Sequence, residues 1–451
     1  MKGSDPMRHS VVLEYKKCRG CTTCIKNCPT EAIRVRSGKA TILPNRCIDC
    51  GTCSRVCPHG AIKSVPDDFN VLQNYQYNIA VPDPSLYAQF NNLDDLNIVL
   101  NGLLELGFDR VCEAAAAAEL MAGCLRRRQS GRPRPIPEIS SVCPAVVRLI
   151  CIRFPDLLGH IAPPLSHLEL AAILARETAA RDTGLLPDEI GVFSIVPCSS
   201  LVTVARQPDG LAEPVLDGAF AIGDVYRALL EPMKKLDPTR LQPLVSAGAR
   251  GVSWAYAGGE ARTRREARYV AVDGIDNVIA MLEEIEGGRL PDADFIELRA
   301  CTKGCLGGCF NVKNPFTAKM HLRQLIRDFP DQRTHAAPDD KVEAVLSSLR
   351  KPDFLPTYVL DPDRRKAMDK MRRIQALEEQ LPGLRCGSCG APSCHAFAED
   401  VVMGRADEED CIFKVRARMQ HMAEGADPDE YLPAPFRRRR PGGKAGHSPE
   451  E

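Results

Sequence analysis

The sequence predicts an α/β domain in the middle of the chain, a small α+β module before it and a small, mainly α module after it. Apolar β-rich runs alternate with amphipathic helical runs through the middle of the 451 residues, which is typical of parallel sheets covered by helices. Dense cysteine runs mark the first module, and four further cysteines with a helical pattern mark the last. We place the three units at 9–66, 75–350 and 365–425, with a disordered basic tail at 432–451.

The composition is that of a globular protein without a dominant charge. Hydrophobic residues make up 44% and charged residues 26%, and 59 basic side chains are matched by 59 acidic ones. We expect no nucleic-acid partner, because the chain as a whole lacks a basic field. No apolar run has the length of a membrane-spanning helix, and the first residues lack the apolar core of a signal peptide. We therefore expect a cytoplasmic protein that does not insert into membranes.

Twenty cysteines are the most informative feature, and in such a chain they indicate metal binding rather than disulfides. Two runs share the spacing C-x2-C-x2-C-x3-C-P, which is that of bacterial two-cluster ferredoxins, where the fourth cysteine ligates the other cluster. The spacing predicts one [4Fe–4S] cubane on Cys18, Cys21, Cys24 and Cys57, and a second on Cys47, Cys50, Cys53 and Cys28. Two structural zinc sites are the alternative. Between the runs, the pattern predicts a hairpin around Ser37-Gly38, as in a small α+β ferredoxin fold.

The last module carries Cys386, Cys389, Cys394 and Cys411. Glycine and serine between the first three predict turns, and a helix is predicted from Cys394 onward. The pattern resembles the four-cysteine iron–sulfur domain of Rnf-type electron-transport subunits and corrinoid iron–sulfur proteins over residues 375–420, which implies one [4Fe–4S] cluster on these four thiols. Structural zinc is the alternative. A preceding amphipathic helix is predicted to bury Met368, Met371, Ile374 and Leu377.

Three β-rich runs of the middle domain each end at a cysteine, namely Cys143, Cys198 and Cys301, and Cys305 follows the last. Sites of α/β proteins form in loops at the carboxyl ends of parallel strands. The stretch "CTKGCLGGC" adds Cys309, and its three glycines favour a closely packed loop over a helix.

These segments, "SSVCPAVV", "VPCSS" and "ELRACTKGC" after a ferredoxin-type module, resemble the [FeFe]-hydrogenase catalytic domain over residues 80–325. The resemblance implies two lobes with parallel sheets flanked by helices. It also implies a cubane bridged in that family, through the last cysteine, to a diiron subcluster where hydrogen binds. The residues at the ligand positions are Cys143, Cys198, Cys301 and Cys305. The segment from 304 to 322 resembles a sensory branch, which implies a signalling kinase or phosphatase as a partner.

The departures from that family concern the diiron subcluster. Catalytic members have a proton-relaying cysteine where this chain has Val142, and a lysine that binds a cyanide ligand where it has Leu201. An apolar side chain at the second position leaves a polar ligand unpaired, at a cost of about 1–3 kcal/mol. Cys309 replaces a small pocket residue and is either a spare thiol or an alternative ligand.

The sequence thus predicts an electron-transfer or redox-sensing protein with a redox protein as partner. Its hydrogenase-like domain is degenerate: it keeps the cubane, the diiron subcluster is doubtful, and no catalytic residue is assigned. The alternative is a sensory or active [FeFe]-hydrogenase. A third possibility is an assembly scaffold like the hydrogenase-like cytosolic assembly factors. Outside the predicted sites, Cys112, Cys124 and Cys151 are expected to be small buried hydrophobes. His160 and His167 are expected to lie at the surface or cap a helix, and a position near the middle cluster is the alternative.

Overall fold

The computed structural model describes residues 9–129, 136–289, 292–331, 340–357 and 359–422. The predicted basic tail lies outside these ranges. None of the helices within them combines the length and the hydropathy that crossing a bilayer requires.

The first module consists of two antiparallel strand pairs and two short helices. Its elements are β1 (Val11–Leu13), α1 (Thr23–Lys26), β2 (Ile33–Arg36), β3 (Lys39–Ile42), α2 (Thr52–Val56) and β4 (Ile62–Ser64). β1 pairs with β4, and β2 pairs with β3, so that Arg36 lies opposite Lys39. The predicted hairpin is therefore confirmed. Ile25, Ile33 and Ile62 form a small apolar core between the two strand pairs.

The middle domain has two lobes, each with an all-parallel sheet. Its elements are β5 (Tyr77–Pro82), α3 (Leu96–Glu105), β6 (Arg110–Val111), α4 (Ala114–Gln129), β7 (Glu138–Ile139), α5 (Pro144–Arg153), α6 (His167–Thr183), β8 (Ile190–Val196), α7 (Ser199–Arg206), β9 (Gly218–Ala221), α8 (Ile222–Lys235), α9 (Ala249–Val252), α10 (Gly259–Arg264), β10 (Tyr269–Asp273), α11 (Ile275–Glu286), β11 (Phe295–Arg299), α12 (Pro315–Leu325) and α13 (Asp340–Ser348). The first sheet has the order β6-β5-β8-β9 and the second β10-β11-β7. The predicted two-lobed α/β fold is confirmed.

The first sheet is buried on both faces because its strands carry apolar residues at consecutive positions. Ile79 and Val81 face one core together with α4 and α6, whereas Ala80 between them faces a second core with α3 and α8. The second sheet packs against α5 and α11, with Ile296 and Leu298 in the contact. This burial packs both sheets against helices, and the cysteine loops lie at the carboxyl ends of their strands.

The last module is helical, with α14 (Arg364–Glu379), α15 (Cys394–Val402) and α16 (Ile412–Met422). Ile374 and Leu377 are buried against Phe397 of α15, as the pattern predicts. The prediction is wrong for Met368 and Met371, whose side chains are 51% and 53% exposed. The contact with α15 covers only the second half of α14, so its first half projects beyond this core.

Candidate iron–sulfur centres

The structure brings the eight cysteines of the first module together in two groups. One cavity is lined by Cys18, Cys21, Cys24 and Cys57. A second is lined by Cys28, Cys47, Cys50 and Cys53. These are the two crossed sets that the spacing predicts, because each run leaves its fourth cysteine beyond a short helix and beside the other run's cavity.

Several thiols of these sets accept backbone hydrogen bonds. The amides of Ala32 and Ala61 each lie 3.2 Å from a sulfur, that of Cys28 and that of Cys57 respectively. Burial raises the pKa of Cys50 to about 11, and burial together with the nearby Cys21 does the same for Cys24. Such thiols become thiolates only when a cation offsets their desolvation, and bound metal ions provide that charge. Converging thiols, amide donors and buried surroundings all fit a cubane.

The four cysteines of the last module also surround one cavity. Cys386, Cys389, Cys394 and Cys411 line it together with Leu381 and Phe397. Cys394 begins α15, and Cys411 directly precedes α16, so two helix starts point at the site. This donor set fits either a cubane or a structural zinc ion.

The middle site is assembled from both lobes. Cys143 and Cys198 are the residues before α5 and α7, while Cys301 closely follows β11. Burial raises the pKa of Cys305, and the nearby thiols of Cys143 and Cys198 raise it further. Burial likewise raises the pKa of Cys301, and the nearby thiols of Cys143 and Cys305 raise it further. The four predicted ligands therefore lie within electrostatic reach of one another.

Close packing of two loops joins the halves of the middle site. A Cβ atom on Gly308 would lie 2.2 Å from the carbonyl oxygen of Pro197, the residue before Cys198. The amide of Phe310 also donates to that carbonyl, at 2.9 Å. Glycine is required at 308 because any side chain would push the two cysteine loops apart.

Arg299 is a member of the middle site that the sequence analysis missed. Its guanidinium is buried, lies 3.8 Å from the sulfur of Cys305 and donates to Glu297 at 3.1 Å. Burial opposes its charge, but Glu297 and Cys305 raise its pKa above the usual value. The run "FIELRAC" could have predicted this, because it places two charged residues, Glu297 and Arg299, in an otherwise apolar strand. Buried charges are almost always paired.

The prediction of a surface or capping role is wrong for His167, because Ser166 caps α6 and the imidazole is buried. It is 1% exposed, and its Nε2 lies 3.1 Å from Oδ2 of Asp83, which is itself buried. Hydrogen bonds from His167 and Ser85 outweigh burial and lower the pKa of Asp83. The charge of Asp83 reaches Cys305 and, after burial, adds to the rise in the pKa of that thiol. His160 is half-buried, with Nδ1 2.8 Å from the carbonyl oxygen of Pro137.

Apolar side chains occupy the two positions that depart from the hydrogenase pattern. Val142 and Leu201 are each 4% exposed and belong to one packed cluster with Leu165 and Trp254. Neither side chain offers a hydrogen-bond donor or a titratable group.

Cys309 lies between the middle site and the first module. Its sulfur is 3.7 Å from the hydroxyl of Ser199 and 3.9 Å from that of Ser64. A Cβ atom on Gly51 would come within 2.6 Å of it. Its charge also raises the pKa of Cys198 and of Cys301. Of the other three cysteines, Cys124 and Cys151 are buried as predicted, and Cys112 is partly buried.

The first module also contacts the last one through a buried ion cluster. Asp400 of α15 accepts from Arg34 at 2.6 Å and from Arg36 at 2.9 Å, and Arg46 donates to Glu399 at 2.8 Å. The amide of Val35 donates to the carbonyl of Gly390 at 2.8 Å. Strand β2 thus holds the loop between Cys389 and Cys394.

Replacing Asp400 by Ala is expected to loosen this contact. The change removes the nearer carboxylate from the buried Arg34, which keeps only Glu399 at 4.0 Å, and breaking a buried ion pair in this way costs about 3–5 kcal/mol. Hydrogen exchange of β2, read at the amide of Val35, should accelerate strongly. The control is Asp369→Ala, which removes an exposed pair with Arg372 worth at most about 1 kcal/mol. Equal exchange in both variants would contradict a structural role for the cluster.

Comparison with known families matches the three modules separately. Residues 17–62 match the "4Fe-4S dicluster domain" family. Residues 77–208 and 221–309 match "Iron only hydrogenase large subunit, C-terminal domain". Residues 381–413 match an Fe-S cluster family.

Individual relatives are distant. The chain is 23% identical to "Cytosolic iron-sulfur assembly component 3" of Bos taurus over 47% of this chain and 55% of that protein. It is 28% identical to the "Periplasmic [Fe] hydrogenase large subunit" of Nitratidesulfovibrio vulgaris over 46% and 53%. It is 22% identical to "Iron hydrogenase 1" of Clostridium pasteurianum over 51% and 49%. The chain thus spans about half the length of the curated relatives it matches.

Among solved structures, an [FeFe]-hydrogenase studied for oxygen inactivation aligns with 64% of this chain and 97% of its own at 16% identity and a TM-score of 0.45. HydA1 of Chlamydomonas reinhardtii aligns with 57% and 85% at 16% identity and a TM-score of 0.42.

The three family matches together identify the chain as an [FeFe]-hydrogenase-like iron–sulfur protein. Its domain of the iron-only hydrogenase large-subunit family lies between a 4Fe-4S dicluster domain and a small Fe-S domain.

Proposed function

We propose that the protein transfers single electrons through four [4Fe–4S] cubanes and does not turn over hydrogen. The cubanes would be held by the sixteen cysteines of the four sites. A bound cubane supplies one-electron chemistry, and the chain's own residues hold it, bury it and adjust its charge through groups such as Arg299. The observation that carries the proposal is that the first module contacts both other cysteine-bearing modules.

Contact with the middle site is made through α2. Arg55 donates to the carbonyl of Gly307 at 2.5 Å. Burial raises the pKa of Cys50 and of Cys301, and the positive charge of Arg55 partly offsets that rise in both thiols. One guanidinium therefore lies within electrostatic reach of a predicted ligand in each of two sites. With β2 holding the last module, this arrangement supports a relay in which the first module connects the other two sites.

The relay is tested by removing the cubane of the Cys28, Cys47, Cys50 and Cys53 set, which Arg55 links to the middle site. In Cys47→Ser, an electron delivered by flash photolysis should no longer equilibrate between the middle cubane and the rest of the chain. Cys112→Ser changes a thiol outside all four sites and is the control. The measurement is freeze-quenched electron paramagnetic resonance, with rates compared at several protein concentrations. Intramolecular equilibration that persists in Cys47→Ser would contradict the relay.

Cluster assembly is the second candidate function. It is favoured by the similarity to assembly components and by the apolar residues Val142 and Leu201. An assembly protein delivers a cluster, whereas an electron carrier retains it. Incubating the cluster-loaded protein with an apo-ferredoxin separates the two: transfer of iron and sulfide to the acceptor would favour assembly. For either function we propose a cytoplasmic location, which the name of the cytosolic iron-sulfur assembly component supports, whereas one hydrogenase relative is named as periplasmic.

A further inference from the structure

A buried cluster of charged side chains lies next to the middle site. Glu260 of α10 and Glu297 of β11 are 1% and 0% exposed. Both carboxyl groups face the buried guanidinium of Arg299, at 3.7 Å and 3.1 Å respectively. Arg264, also buried, faces Glu260 from one turn further along α10, at 3.6 Å. Charged side chains are almost never fully buried unless they are paired, so the charges of this cluster have to balance one another.

The carboxyl groups of the cluster outnumber its guanidinium groups. The ion pairs of Arg264 and Arg299 involve the carboxyl groups of Glu138, Glu260, Glu266 and Glu297. If all of these groups were ionised, four negative charges would face two positive ones, and a buried excess of charge is strongly unfavourable. We therefore expect at least one of these carboxyl groups to hold a proton.

Glu260 is the carboxyl group best placed to hold that proton. Burial and the nearby Glu297 raise its pKa to about 7. Arg299, Arg264 and a hydrogen bond from Ser140 act against that rise without reversing it. The nearest nitrogens of the two guanidinium groups lie 3.6 Å and 3.7 Å from its oxygens, beyond hydrogen-bond distance. In the part of the chain that the structure describes, neither of these nitrogens donates to another group.

The other three carboxyl groups accept hydrogen bonds directly from the guanidinium groups. Glu297 accepts from Arg299 at 3.1 Å and from a backbone amide at 3.1 Å. Glu266 accepts from Arg264 at 3.0 Å, and Glu138 also accepts from that guanidinium. Hydrogen bonds from cations favour the ionised form of a carboxylate, so a proton in the cluster is expected on Glu260.

The charged groups on other elements packed against α10 make their contacts elsewhere. From α4, Glu119 accepts from two amides at the start of α9, and Arg126 donates to a carbonyl of α10. From α9, Arg250 pairs with Asp331. These contacts do not involve the carboxyl group of Glu260, so its charge is governed by the cluster around Arg264 and Arg299.

Arg299 connects Glu260 with the predicted ligands of the middle site. Its guanidinium lies 3.8 Å from the sulfur of Cys305. Burial opposes the charge of Arg299, but the surrounding Glu297, Cys305 and Glu260 outweigh burial and raise its pKa. An electron that enters a cubane on these thiols adds a negative charge, which competes with Glu260 for the same guanidinium. Protonation of Glu260 then becomes more favourable, because a neutral acid needs no counter-charge.

We propose that Glu260 is a redox-linked proton-binding site, whose carboxylate takes up one proton when one electron enters the middle site and releases it on oxidation. This inference rests on the proposed electron-transfer function. The electron resides on the cubane and the proton on Glu260, where an O–H bond forms as one breaks in a solvent acid. Glu138 is 14% exposed and connects the cluster with solvent. Arg299 stays ionised and is a positioning residue that couples the two charges.

The test is a potentiometric titration of the full cluster-loaded chain at a series of pH values, followed by electron paramagnetic resonance. The signal of the middle cubane is the one missing from Cys305→Ser. Below pH of about 7, Glu260 is protonated in both redox states and the potential should be constant. Above it, up to the higher pKa that Glu260 has in the reduced protein, reduction has to bring the proton in from solvent. Reduction should there become about tenfold less favourable for each pH unit, which corresponds to about 59 mV.

Glu260→Gln keeps the shape of the side chain but cannot titrate, so the potential of the middle site should no longer vary with pH. The control is Glu169→Gln, which changes a second buried glutamate outside the cluster, one whose pKa burial raises to about 7. This variant should retain the pH dependence. Infrared difference spectra provide an independent readout: reduction should add the band of a protonated carboxyl group in the unmodified chain and in Glu169→Gln, but not in Glu260→Gln.

The outcomes separate this inference from the function beneath it. If the middle site of the unmodified chain is reduced at a potential that does not vary with pH, and no carboxyl band appears, the proton site is refuted and electron transfer stands. A pH dependence that persists in Glu260→Gln, or that is lost in Glu169→Gln instead, also refutes the assignment to Glu260. If titanium(III) citrate reduces none of the clusters of the unmodified chain, the proposed function itself fails.

Discussion

Replacing Cys305 by Ser is expected to remove about four iron atoms and four sulfides from each chain, leaving about twelve of the sixteen that four cubanes contain. Cys305 lies beside Arg299, and the thiols of Cys143 and Cys198, one from each lobe, are near enough to raise its pKa. A hydroxyl in its place is a poor ligand for iron, which prefers thiolate in such clusters. Anaerobic iron and labile-sulfide assays, with total metal by mass spectrometry, measure the change.

The matched control is Cys112→Ser, where the same atom is exchanged outside the four sites and the metal content should not change. Unchanged iron in Cys305→Ser would remove Cys305 from the ligand set. Zinc at about one equivalent with iron near twelve in the unmodified chain would instead identify the last module as a structural zinc site.

Hydrogen evolution should be undetectable with a strong reductant, even after co-expression with hydrogenase maturation proteins. A positioned acid–base group contributes about 10²- to 10⁴-fold to a proton-transfer step. Val142 and Leu201 provide none, and both pack among Leu165 and Trp254. The effect of losing a proton relay and a donor to the diiron ligands together should therefore far exceed tenfold.

Turnover above that of a metal-free control would contradict this prediction. The Cys309→Ala variant then tests whether the thiol of Cys309 is the source of that activity. The Cys309 sulfur contacts Ser64 and Ser199 and lies close to Gly51, so we expect its thiol to serve the contact with the first module. If activity exists and disappears in Cys309→Ala, that thiol is a displaced proton relay and the sensory or active hydrogenase becomes the better account.

Local spacing predicted much of the architecture. The turn at Ser37-Gly38 and the strands ending before Cys143, Cys198 and Cys301 are set by short-range patterns, and the structure has each of them. The crossed cysteine sets follow from the spacing that bacterial two-cluster ferredoxins share, in which the fourth cysteine of each run ligates the other cluster. These features depend on neighbours in sequence, which a single chain displays directly.

Features that depend on contacts between distant segments were missed. Asp83 and His167 are 84 residues apart, and Arg34 and Asp400 are 366 apart. No periodicity relates them, since only the packed fold brings them together. Met368 shows the opposite error: an apolar stripe at helical spacing predicted burial, but the small module has too little surface to cover the whole of α14.

Infrared spectroscopy of the protein purified anaerobically after co-expression with hydrogenase maturation proteins tests the central claim most directly. Our account predicts about sixteen iron atoms per chain, from four cubanes, and no bands from metal-bound carbon monoxide or cyanide, because the middle site holds a cubane alone. Such bands in the unmodified chain, lost in Cys305→Ser, would show a diiron subcluster at the middle site and contradict the account.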